Sequence, residues 1–556
     1  MTLGLATLMG AFVGGVTVHH GVAGPAPETA RLPTAKPDTV PPAPPKTRAI
    51  AQAARVSGTR GWLVVDVDTG AVVDAFQPQA AFVPASVAKL PTAAYALDKL
   101  GAEHRFETRV EAHGTIRHGV LDGDLMIRGG GDPELDTDAL APLAAAVAQA
   151  GITRVTGKLL VDAGPWREVA AIDPLQPEDA AYNPGVSGLS LNFNRVRAEW
   201  PRGATAKTLK VTAQAENLRP QTDAVRLRPV PQRTALVHRF EGGREVWDIA
   251  AHALRRRGGR WLPVRAPGLY TARVLATLAA TRGVSVEGGA ALATAAPVPA
   301  VSSSVASLVP LTGATAGDAV PESSIIARHR SRPLAEILRE MLRFSTNVTA
   351  ELAGLACAEP VVAQASAPGA GLSGATLSGK VNVSAAATDP LRTSAAVLNT
   401  WAAERAGFAV GDPGFVLANH SGLSLRSRLS PERLVALLLA EAAEPSPVAL
   451  RDPRLPGGVA QILKPHNIAA KTIPFDYANT AVAAKTGTMN FVRGLAGYIT
   501  TPKGRRLAFA VFNNDLARRA AQNNGGARGW AGRARGMERA LIREWVLMAD
   551  RTVTPG

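Results

Sequence analysis

The sequence predicts an α/β (α+β) fold in which one domain is interrupted by a large strand-rich insertion. Two β-rich runs between residues 61 and 73, separated by the turn signal Asp68-Thr69-Gly70, predict a hairpin near its start. Helical spacing of apolar residues returns only after Pro333, and short β-rich runs with many turn residues fill the interval. Because 556 residues are too many for one ordinary core, these patterns indicate at least two folded units.

The predicted elements can be placed in order along the chain. A helix of about fifteen residues follows Pro84, because an apolar run begins there without further turn residues. The remaining assignments rest on hydrophobic period and turn residues: strands at 159–162, 209–213, 495–500 and 506–512, and helices at 334–342, 348–358, 429–441 and 536–548. These elements predict a domain formed by residues 49–105 and 320–556 and an inserted strand-rich region at 106–319.

Residues 1–48 have a different composition. The run Leu3 to Val18 is apolar and too short to span a bilayer comfortably, and a proline-rich stretch follows it. This order predicts a signal or short anchor segment joined to an extended linker, and therefore an exported protein. No Lys or Arg precedes the apolar run, so the positive start that export signals usually carry is missing.

Overall composition indicates a folded chain and argues against nucleic-acid binding. A hydrophobic fraction of 46% with 19% charged residues is typical of a folded, globular chain. The net charge of +16 favours anionic partners, but an aromatic fraction of 5% and the lack of a nucleic-acid motif argue against nucleic acid. Cys357, the one cysteine, lies in a predicted helix without basic neighbours and is expected to be a buried, inert thiol.

The first candidate for chemistry is Ser86-Val87-Ala88-Lys89 at the start of the helix after Pro84. A spacing of three places the hydroxyl and the amine on one helix face. A serine needs a neighbour that takes its proton, and a lysine desolvated among apolar residues can be neutral enough to do so. Ser86 is therefore the candidate nucleophile and Lys89 its candidate base.

A second polar element, Ser345-Thr346-Asn347, separates two predicted apolar helices. A polar loop between such helices suggests a functional role. The same pattern occurs at Ser190-Leu191-Asn192, within a run, 188–193, that is expected to be a strand with a structural role.

A third element, Lys485-Thr486-Gly487-Thr488, is expected on a strand that precedes the final strand pair. Alternation along a strand places Thr486 and Thr488 on one face, where two hydroxyls can bind a substrate carboxylate. Lys485 then faces the other catalytic groups, and Gly487 lets the substrate backbone pass close to the strand.

These three motifs, in this order, resemble the signature of penicillin-binding proteins and serine β-lactamases. Ser86 and Ser345 lie about 259 positions apart, which is more than one compact domain would place between the motifs. A long insertion at this point is similar to the class C low-molecular-mass penicillin-binding proteins, the D-alanyl-D-alanine carboxypeptidase/endopeptidase family. The resemblance spans about residues 50–515 and also includes Leu121 to Leu125, Gly129 to Pro133, His329 to Leu334, Ser421 to Ser424 and Gly494 to Tyr498.

The resemblance implies a transpeptidase-like domain with helices flanking a largely antiparallel sheet. It implies that Ser86 attacks the carbonyl between two D-alanines, that Lys89 accepts its proton, and that Ser345 and Lys485 return a proton to the leaving amine. Asn347 would bind the peptide backbone, and Thr486 and Thr488 would hold the terminal carboxylate. The backbone N–H groups of Ser86 and Thr488 would bind the oxyanion.

The implied partners are peptidoglycan stem peptides as substrates and β-lactam antibiotics as inhibitors. Met489, Tyr182 and Asp179 lie near positions that would contact the side chain of the stem peptide. The implied location is the periplasm or the outer face of the cytoplasmic membrane, with a loose association between the basic chain and an anionic envelope surface. Neither a metal nor an organic cofactor is expected, because His113 and His118 lack partners at metal-ligand spacing.

Two other functions fit the same motifs. A β-lactamase would share the acylation machinery and add rapid deacylation, and a catalytically silent protein would only bind peptidoglycan. The sequence also departs from the family pattern at two points. Pro91 is expected to kink the helix that carries Ser86, and Asn419-His420 precedes Ser421 where the family often has an acidic residue and glycine.

Overall fold

The computed structural model describes residues 44–164, 166–231, 236–292, 324–366, 376–377, 381–382, 389–449, 452–466, 479–521 and 525–551. The predicted signal and linker segment lies almost wholly outside these residues, as does the predicted domain boundary at 319/320. No helix in the described ranges is long and apolar enough to cross a membrane.

The helices in chain order are α1 Pro45–Ala53, α2 Lys89–Leu100, α3 Thr137–Gln149, α4 Pro267–Ala280, α5 Leu334–Phe344, α6 Asn347–Cys357, α7 Glu359–Ser366, α8 Pro390–Ala406, α9 Pro431–Ala442, α10 Leu516–Ala520 and α11 Ala527–Arg551. The strands are β1 Thr59–Asp66, β2 Val72–Phe76, β3 Glu107–Arg117, β4 Val120–Arg128, β5 Arg154–Val155, β6 Leu159–Asp162, β7 Arg195–Trp200, β8 Lys210–Thr212, β9 Val225–Val230, β10 Leu236–Glu241, β11 Arg244–Ala250, β12 Gly258–Pro263, β13 Ser285–Val286, β14 Ala290–Leu292, β15 Ile325–Arg330, β16 Thr376–Leu377, β17 Val381–Asn382, β18 Phe415–Val416, β19 Arg428–Leu429, β20 Ala481–Met489, β21 Val492–Thr500 and β22 Arg506–Asn514.

A five-stranded sheet with the order β2-β1-β22-β21-β20 joins the two ends of the described chain. All of its pairings are antiparallel, including β1 with β22. Strands β20 to β22 are buried along most of their length. Burial on both faces requires a helical layer on each side, because apolar sheet faces are stable only when covered.

One face of this sheet packs against α2, α5, α6, α8 and α9. Tyr95, Leu338 and Leu438 belong to that core together with sheet residues such as Leu63 and Phe512. The opposite face packs against α1 and α11, where the core contains the sheet residues Trp62, Phe509 and Val511 and the α11 residues Trp530 and Trp545. The prediction of a largely antiparallel sheet flanked by helices is therefore confirmed.

Strands β3 to β15 form separate sheets between these elements. β13, β5, β4, β3 and β15 are neighbours in a seven-stranded sheet that also contains β6 and β14, and two three-stranded sheets contain β7 to β12. Helices α3 and α4 pack on a core that includes Ile127, Val161 and Leu275. β15 pairs with β3, so the start and the end of this strand-rich part of the chain lie side by side.

Local predictions differ from the structure at three places. Residues 85–88 form a 3-10 turn and α2 begins at Lys89, so Pro91 lies in the first turn, where its missing N–H costs no helical hydrogen bond and no kink is needed. Residues 190–192 do not form a strand: Asn192 and the two residues after it have positive φ in a 3-10 turn. Cys357 ends α6 and is half-buried, and its thiol contacts the carbonyl oxygen of Ala353.

Candidate active site

The turn that carries Ser86 is held against strand β20. Ala85 has φ of 48°, which reverses the chain just before the serine and places it at the start of the turn leading into α2. A Cβ at Gly487 would lie 2.4 Å from the carbonyl oxygen of Pro84, so only glycine lets the strand approach this closely. Gly487 is therefore required because β20 packs closely against the backbone of the Ser86 turn.

Lys89 is fully buried, and its Nζ has three neighbours. It lies 2.8 Å from Oδ1 of Asn347, 2.7 Å from the carbonyl oxygen of Ser421 and 3.2 Å from Oγ of Ser86. The first two are acceptors only, so they take two N–H groups of the amine. In the neutral amine the remaining lone pair then points at the hydroxyl of Ser86.

Burial determines the charge of Lys89. Removal from water, assisted by the positive charge of Lys485, lowers the pKa of Lys89 well below its usual value, and the negative charge of Glu351 opposes this shift. The lowered pKa increases the share of neutral amine, which is the form that can accept a proton.

Ser345 and Lys485 form the second polar pair of the site. Ser345 ends α5 in the left-handed conformation with φ of 62°, and its N–H donates to the carbonyl oxygen of Met341 at 2.7 Å. Nζ of Lys485 donates to Oγ of Ser345 at 3.0 Å. Burial and the nearby positive charge of Lys464 lower the pKa of Lys485 to about 7, so this amine can gain or lose a proton near neutral pH.

Asn347 links the catalytic motifs to the strand-rich part of the chain. Its Nδ2 donates to the carbonyl oxygen of Tyr182 at 2.8 Å, while its Oδ1 accepts from Lys89. Nε2 of Gln176, in the same loop as Tyr182, donates to the carbonyl oxygen of Leu423 at 3.3 Å. Tyr182 itself is 51% exposed. The predicted candidate Asp179 is instead paired with Arg260 at 2.8 Å.

Strand β20 ends in a group of polar side chains beside the Ser86 turn. Thr486 is half-buried and Thr488 is exposed. Arg493, on the neighbouring strand β21, donates from Nη1 to Oγ1 of Thr488 at 3.0 Å. Arg493 is itself buried and paired with the buried Glu538 of α11 at 2.7 Å. A cation therefore lies directly behind the hydroxyl that was expected to bind a carboxylate.

The structure brings the predicted site residues together from distant parts of the sequence. Direct hydrogen bonds connect Lys89 to Ser86 and Asn347, and Lys485 to Ser345. The other Ser-x-Asn sequence, at residues 190–192, is not part of the site. Its Asn192 is hydrogen-bonded to Thr137 and Tyr270 within the strand-rich region.

Sequence reasoning missed several polar contacts of the site. Ser421 faces Lys89 with its backbone carbonyl, and Arg493 and Glu538 lie behind Thr488. A backbone contact leaves no signature in a side-chain pattern. Within the described ranges, no group of three or more His, Cys, Asp and Glu is placed to hold a metal ion.

A buried lysine beside a serine at a helix start, with a second serine–lysine pair across the site, defines a serine acyl-transfer enzyme. A family model described as "D-Ala-D-Ala carboxypeptidase 3 (S13) family" matches residues 47–312 and 381–531. The chain therefore belongs to the D-Ala-D-Ala carboxypeptidase 3 (S13) family, and it is a serine D,D-peptidase.

Comparisons with individual proteins agree with this assignment. The chain is 30% identical over 475 residues to the D-alanyl-D-alanine carboxypeptidase of Actinomadura sp. (strain R39), covering 82% of this chain and 77% of that protein. Its fold is similar to that of penicillin binding protein 4 (dacB) from Haemophilus influenzae, with a TM-score of 0.59 and 19% identity over 84% of this chain and 93% of the other. The same protein complexed with a novel β-lactam matches with a TM-score of 0.56 and 19% identity over 90% and 99% of the two chains.

Proposed function

We propose that the enzyme cleaves D-alanyl-D-alanine bonds of peptidoglycan stem peptides with Ser86 as nucleophile and Lys89 as general base. The arrangement around Nζ of Lys89 carries this proposal. Two acceptor-only oxygens, Oδ1 of Asn347 and the carbonyl oxygen of Ser421, occupy two directions around the amine, and Ser86 occupies the third. A neutral amine held in this way has its lone pair directed at the hydroxyl proton that must be removed.

The reaction then proceeds in two halves. Oγ of Ser86 attacks the carbonyl carbon between the two D-alanines while its proton moves to Nζ of Lys89. The carbon–nitrogen bond breaks, the terminal D-alanine leaves as an amine that takes a proton, and an ester remains on Ser86. Water then attacks the ester, the proton that it gives up returns to Oγ of Ser86, and the shortened peptide is released. The proton that Lys89 took during acylation replaces the one given to the leaving amine, so both lysines regain their starting state.

Lys485 and Ser345 provide the proton for the leaving amine in this proposal. Their side chains are 3.0 Å apart, and the pKa of Lys485 of about 7 permits exchange of a proton near neutral pH. The serine hydroxyl can pass on a proton because it both donates and accepts. Lys485 also offers positive charge to the oxyanion and to the substrate carboxylate.

Substrate binding is assigned to the end of β20 and to Asn347. The hydroxyls of Thr486 and Thr488 would hold the terminal carboxylate, with the charge of Arg493 behind Thr488 favouring an anion. The N–H groups of Ser86 and Thr488 would bind the oxyanion. The amide of Asn347 would contact the backbone of the stem peptide.

Labelling with a fluorescent penicillin tests the nucleophile. The wild-type protein should be labelled and release D-alanine from a D-alanyl-D-alanine peptide, because both reagents acylate the same serine. Ser86→Ala should lose both properties, and folded Ser86→Ala with retained D-alanine release would contradict the proposal. Rapid nitrocefin turnover by the wild type would favour the β-lactamase alternative, and absence of labelling would favour a silent peptidoglycan-binding protein.

We also propose the domain division 49–105 with 320–556 for the catalytic domain and 106–319 for the inserted region. Strands β1 and β2 from one end of the chain and β20 to β22 from the other belong to one sheet, which supports the split arrangement. Residues 1–48 would direct export and link the enzyme to the envelope, which is the compartment of its substrate. The location would be the periplasm or the outer face of the cytoplasmic membrane.

An arginine-rich face of α11 supports a loose association with an anionic envelope surface. The exposed residues of this helix include Arg528, Arg533, Arg535 and Arg539, whereas its acidic residues Glu538 and Glu544 are buried and Asp550 is half-buried. Helix α1, which follows the predicted linker, packs against α11 and exposes Arg48. Basic side chains on one face attract an anionic surface, and each contributes on the order of 1 kcal/mol near it at low salt.

Co-sedimentation tests this association. The protein should sediment with phosphatidylglycerol vesicles or isolated sacculi at low salt and be released at high salt, because exposed charges are screened. A variant with glutamine at the four arginines of α11 should sediment less while retaining penicillin labelling. Equal sedimentation of variant and wild type would contradict the assignment.

A further inference from the structure

Glu351 is a buried carboxylate in the active-site layer that the proposed reaction does not use. It lies on α6, one turn after Asn347, and its side chain has no exposure to solvent. Residues four apart share one face of a helix, so Glu351 and Asn347 face the same part of the molecule. A buried carboxylate is costly unless it is paired and hydrogen-bonded, so its partners indicate its role.

Both oxygens of Glu351 bind the backbone between β18 and β19. Oε2 accepts the N–H of His420 at 3.1 Å, and Oε1 accepts the N–H of Ser421 at 2.9 Å. The carbonyl oxygen of the same Ser421 accepts from Nζ of Lys89 at 2.7 Å. Ser421 therefore links the two groups: its N–H binds the carboxylate of Glu351, and its carbonyl oxygen binds the amine of Lys89.

The ring of His420 fixes this segment from the other side. Oγ of Ser394 donates to the carbonyl oxygen of Gly354 and therefore accepts from Nε2 of His420 at 2.7 Å. Thr92, on the helix that begins with Lys89, donates to the carbonyl oxygen of His420 at 2.9 Å. A Cβ at Gly354 would lie 2.3 Å from the ring, so the space for His420 exists because residue 354 is glycine.

We propose that Glu351 is a positioning residue for the general base: it holds the 420–421 backbone so that Ser421 directs Lys89 at Ser86, and it places a carboxyl group in the layer that contains the buried Lys89. This inference rests on the proposed role of Lys89. It also accounts for His420 and Gly354, since the ring packed at that glycine fixes the segment that Glu351 binds. At Asn419-His420 the sequence differs from the family pattern, and His420 is held by this same hydrogen-bond network.

The charges facing Lys89 determine the expected effect on its protonation. Lys485 faces it from β20 and disfavours the protonated form, whereas ionised Glu351 faces it from α6 and favours that form. Burial raises the pKa of Glu351, and the hydrogen bonds from Ser421 and His420 and the charge of Lys89 oppose this rise. The other neighbours are the neutral groups of Ser86, Asn347 and Ser421. Burial lowers the pKa of His420 to about 3, so this ring stays neutral throughout the working range of the enzyme. Removal of the Glu351 charge should therefore lower the pKa of Lys89.

Two substitutions separate charge from position. Glu351→Gln keeps the size but turns one acceptor into a donor facing an N–H group, so the 420–421 segment should shift. Penicillin acylation should fall by about tenfold or more, and the rising limb of its pH profile should move to lower pH. Glu351→Asp keeps the charge on a shorter side chain, so acylation should be slower while the rising limb stays close to its wild-type position.

Glu441→Gln is the matched control. Glu441 is another buried helical carboxylate, on α9, where it is paired with Arg405 at 3.1 Å. Its substitution should lower the melting temperature and leave the acylation rate per folded molecule and the pH profile unchanged. An equal loss in both glutamine variants would mean that Glu351 has a structural role only, and would overturn the proposal.

Two further outcomes would overturn it: wild-type rate and pH profile in folded Glu351→Gln, or, where that variant does not fold, the wild-type rate in Glu351→Asp. Failure of the proposed function is a separate result. It appears as penicillin labelling of Ser86→Ala, whatever the Glu351 variants do.

Discussion

The amide of Asn347 donates to the backbone carbonyl of Tyr182 at 2.8 Å while its carbonyl oxygen accepts from Lys89. The NH2 group of Asn347 therefore binds the strand-rich region, and its carbonyl oxygen binds the proposed base. An amide in this position cannot rotate without breaking both bonds, so the orientation of its oxygen toward Lys89 is fixed by the contact with Tyr182.

Asn347→Ala should lower the rate of penicillin acylation by about 100-fold, because Lys89 loses an acceptor and its lone pair is no longer directed at Ser86. Stopped-flow fluorescence with a labelled penicillin measures this rate. Asn192→Ala is the control from the competing motif. Asn192 is buried and hydrogen-bonded, so its loss should lower stability and leave acylation per folded molecule intact. Wild-type acylation in Asn347→Ala would contradict the assignment.

The acylation rate should show a bell-shaped dependence on pH. It rises as Lys89 loses its proton and falls as Lys485, with a pKa of about 7, loses the charge that the reaction uses. In Lys485→Arg the guanidinium stays protonated, so the falling limb should disappear even though the rate is lower. Rates between pH 5 and pH 9.5 test this, and an unchanged falling limb in Lys485→Arg would assign that limb to another group.

Lys485→Met should raise the melting temperature while abolishing activity, because a buried amine is replaced by an apolar side chain of similar length. The folded protein binds fewer protons than the unfolded chain between the folded pKa of Lys485, about 7, and its usual value of 10.5. Wild-type stability should therefore rise with pH across this window. The gain from the substitution should be larger at pH 6.5 than at pH 10, as measured by differential scanning calorimetry; a gain independent of pH would contradict this explanation.

Arg493→Met should destabilise the protein by roughly 3–5 kcal/mol, because it leaves Glu538 buried without its partner. It should also raise KM for a D-alanyl-D-alanine peptide, since Thr488 loses the donor that orients its hydroxyl. Urea unfolding and steady-state kinetics measure the two effects. The double substitution Arg493→Met with Glu538→Leu should recover stability but not KM; recovery of both would show that the ion pair has no role at Thr488.

Gly487→Ala should slow acylation by roughly 100-fold, because its Cβ would overlap the carbonyl oxygen of Pro84 and displace the Ser86 turn from β20. Gly536→Ala is the matched control. A Cβ at Gly536, on α11, meets no atom within 4 Å, so this change should leave acylation unchanged and increase helix stability slightly. Normal acylation in Gly487→Ala would mean that the strand tolerates a wider separation from the turn.

The sequence by itself determined the class of fold and the family. The hairpin at β1 and β2, helices α5, α6 and α9 and the pair β21 and β22 follow from hydrophobic period and turn residues, because these patterns act over a few residues. The motifs containing Ser86, Ser345 and Lys485 identify an acyl-transfer site because their chemistry resides in the side chains themselves. Local patterns gave the wrong structure for residues 190–192. The apolar run there predicted a strand, but Asn192 has positive φ and the chain turns.

Only the tertiary structure decided how the site is held. The carbonyl oxygens of Tyr182 and Ser421, the pair Arg493–Glu538 and the buried carboxylate of Glu351 meet the motifs from distant parts of the chain. The depressed pKa values of Lys89 and Lys485 likewise arise from burial, which depends on the packing of elements that the sequence separates by hundreds of residues. Backbone contacts and desolvation leave no local pattern, so folding alone brings these groups into the site.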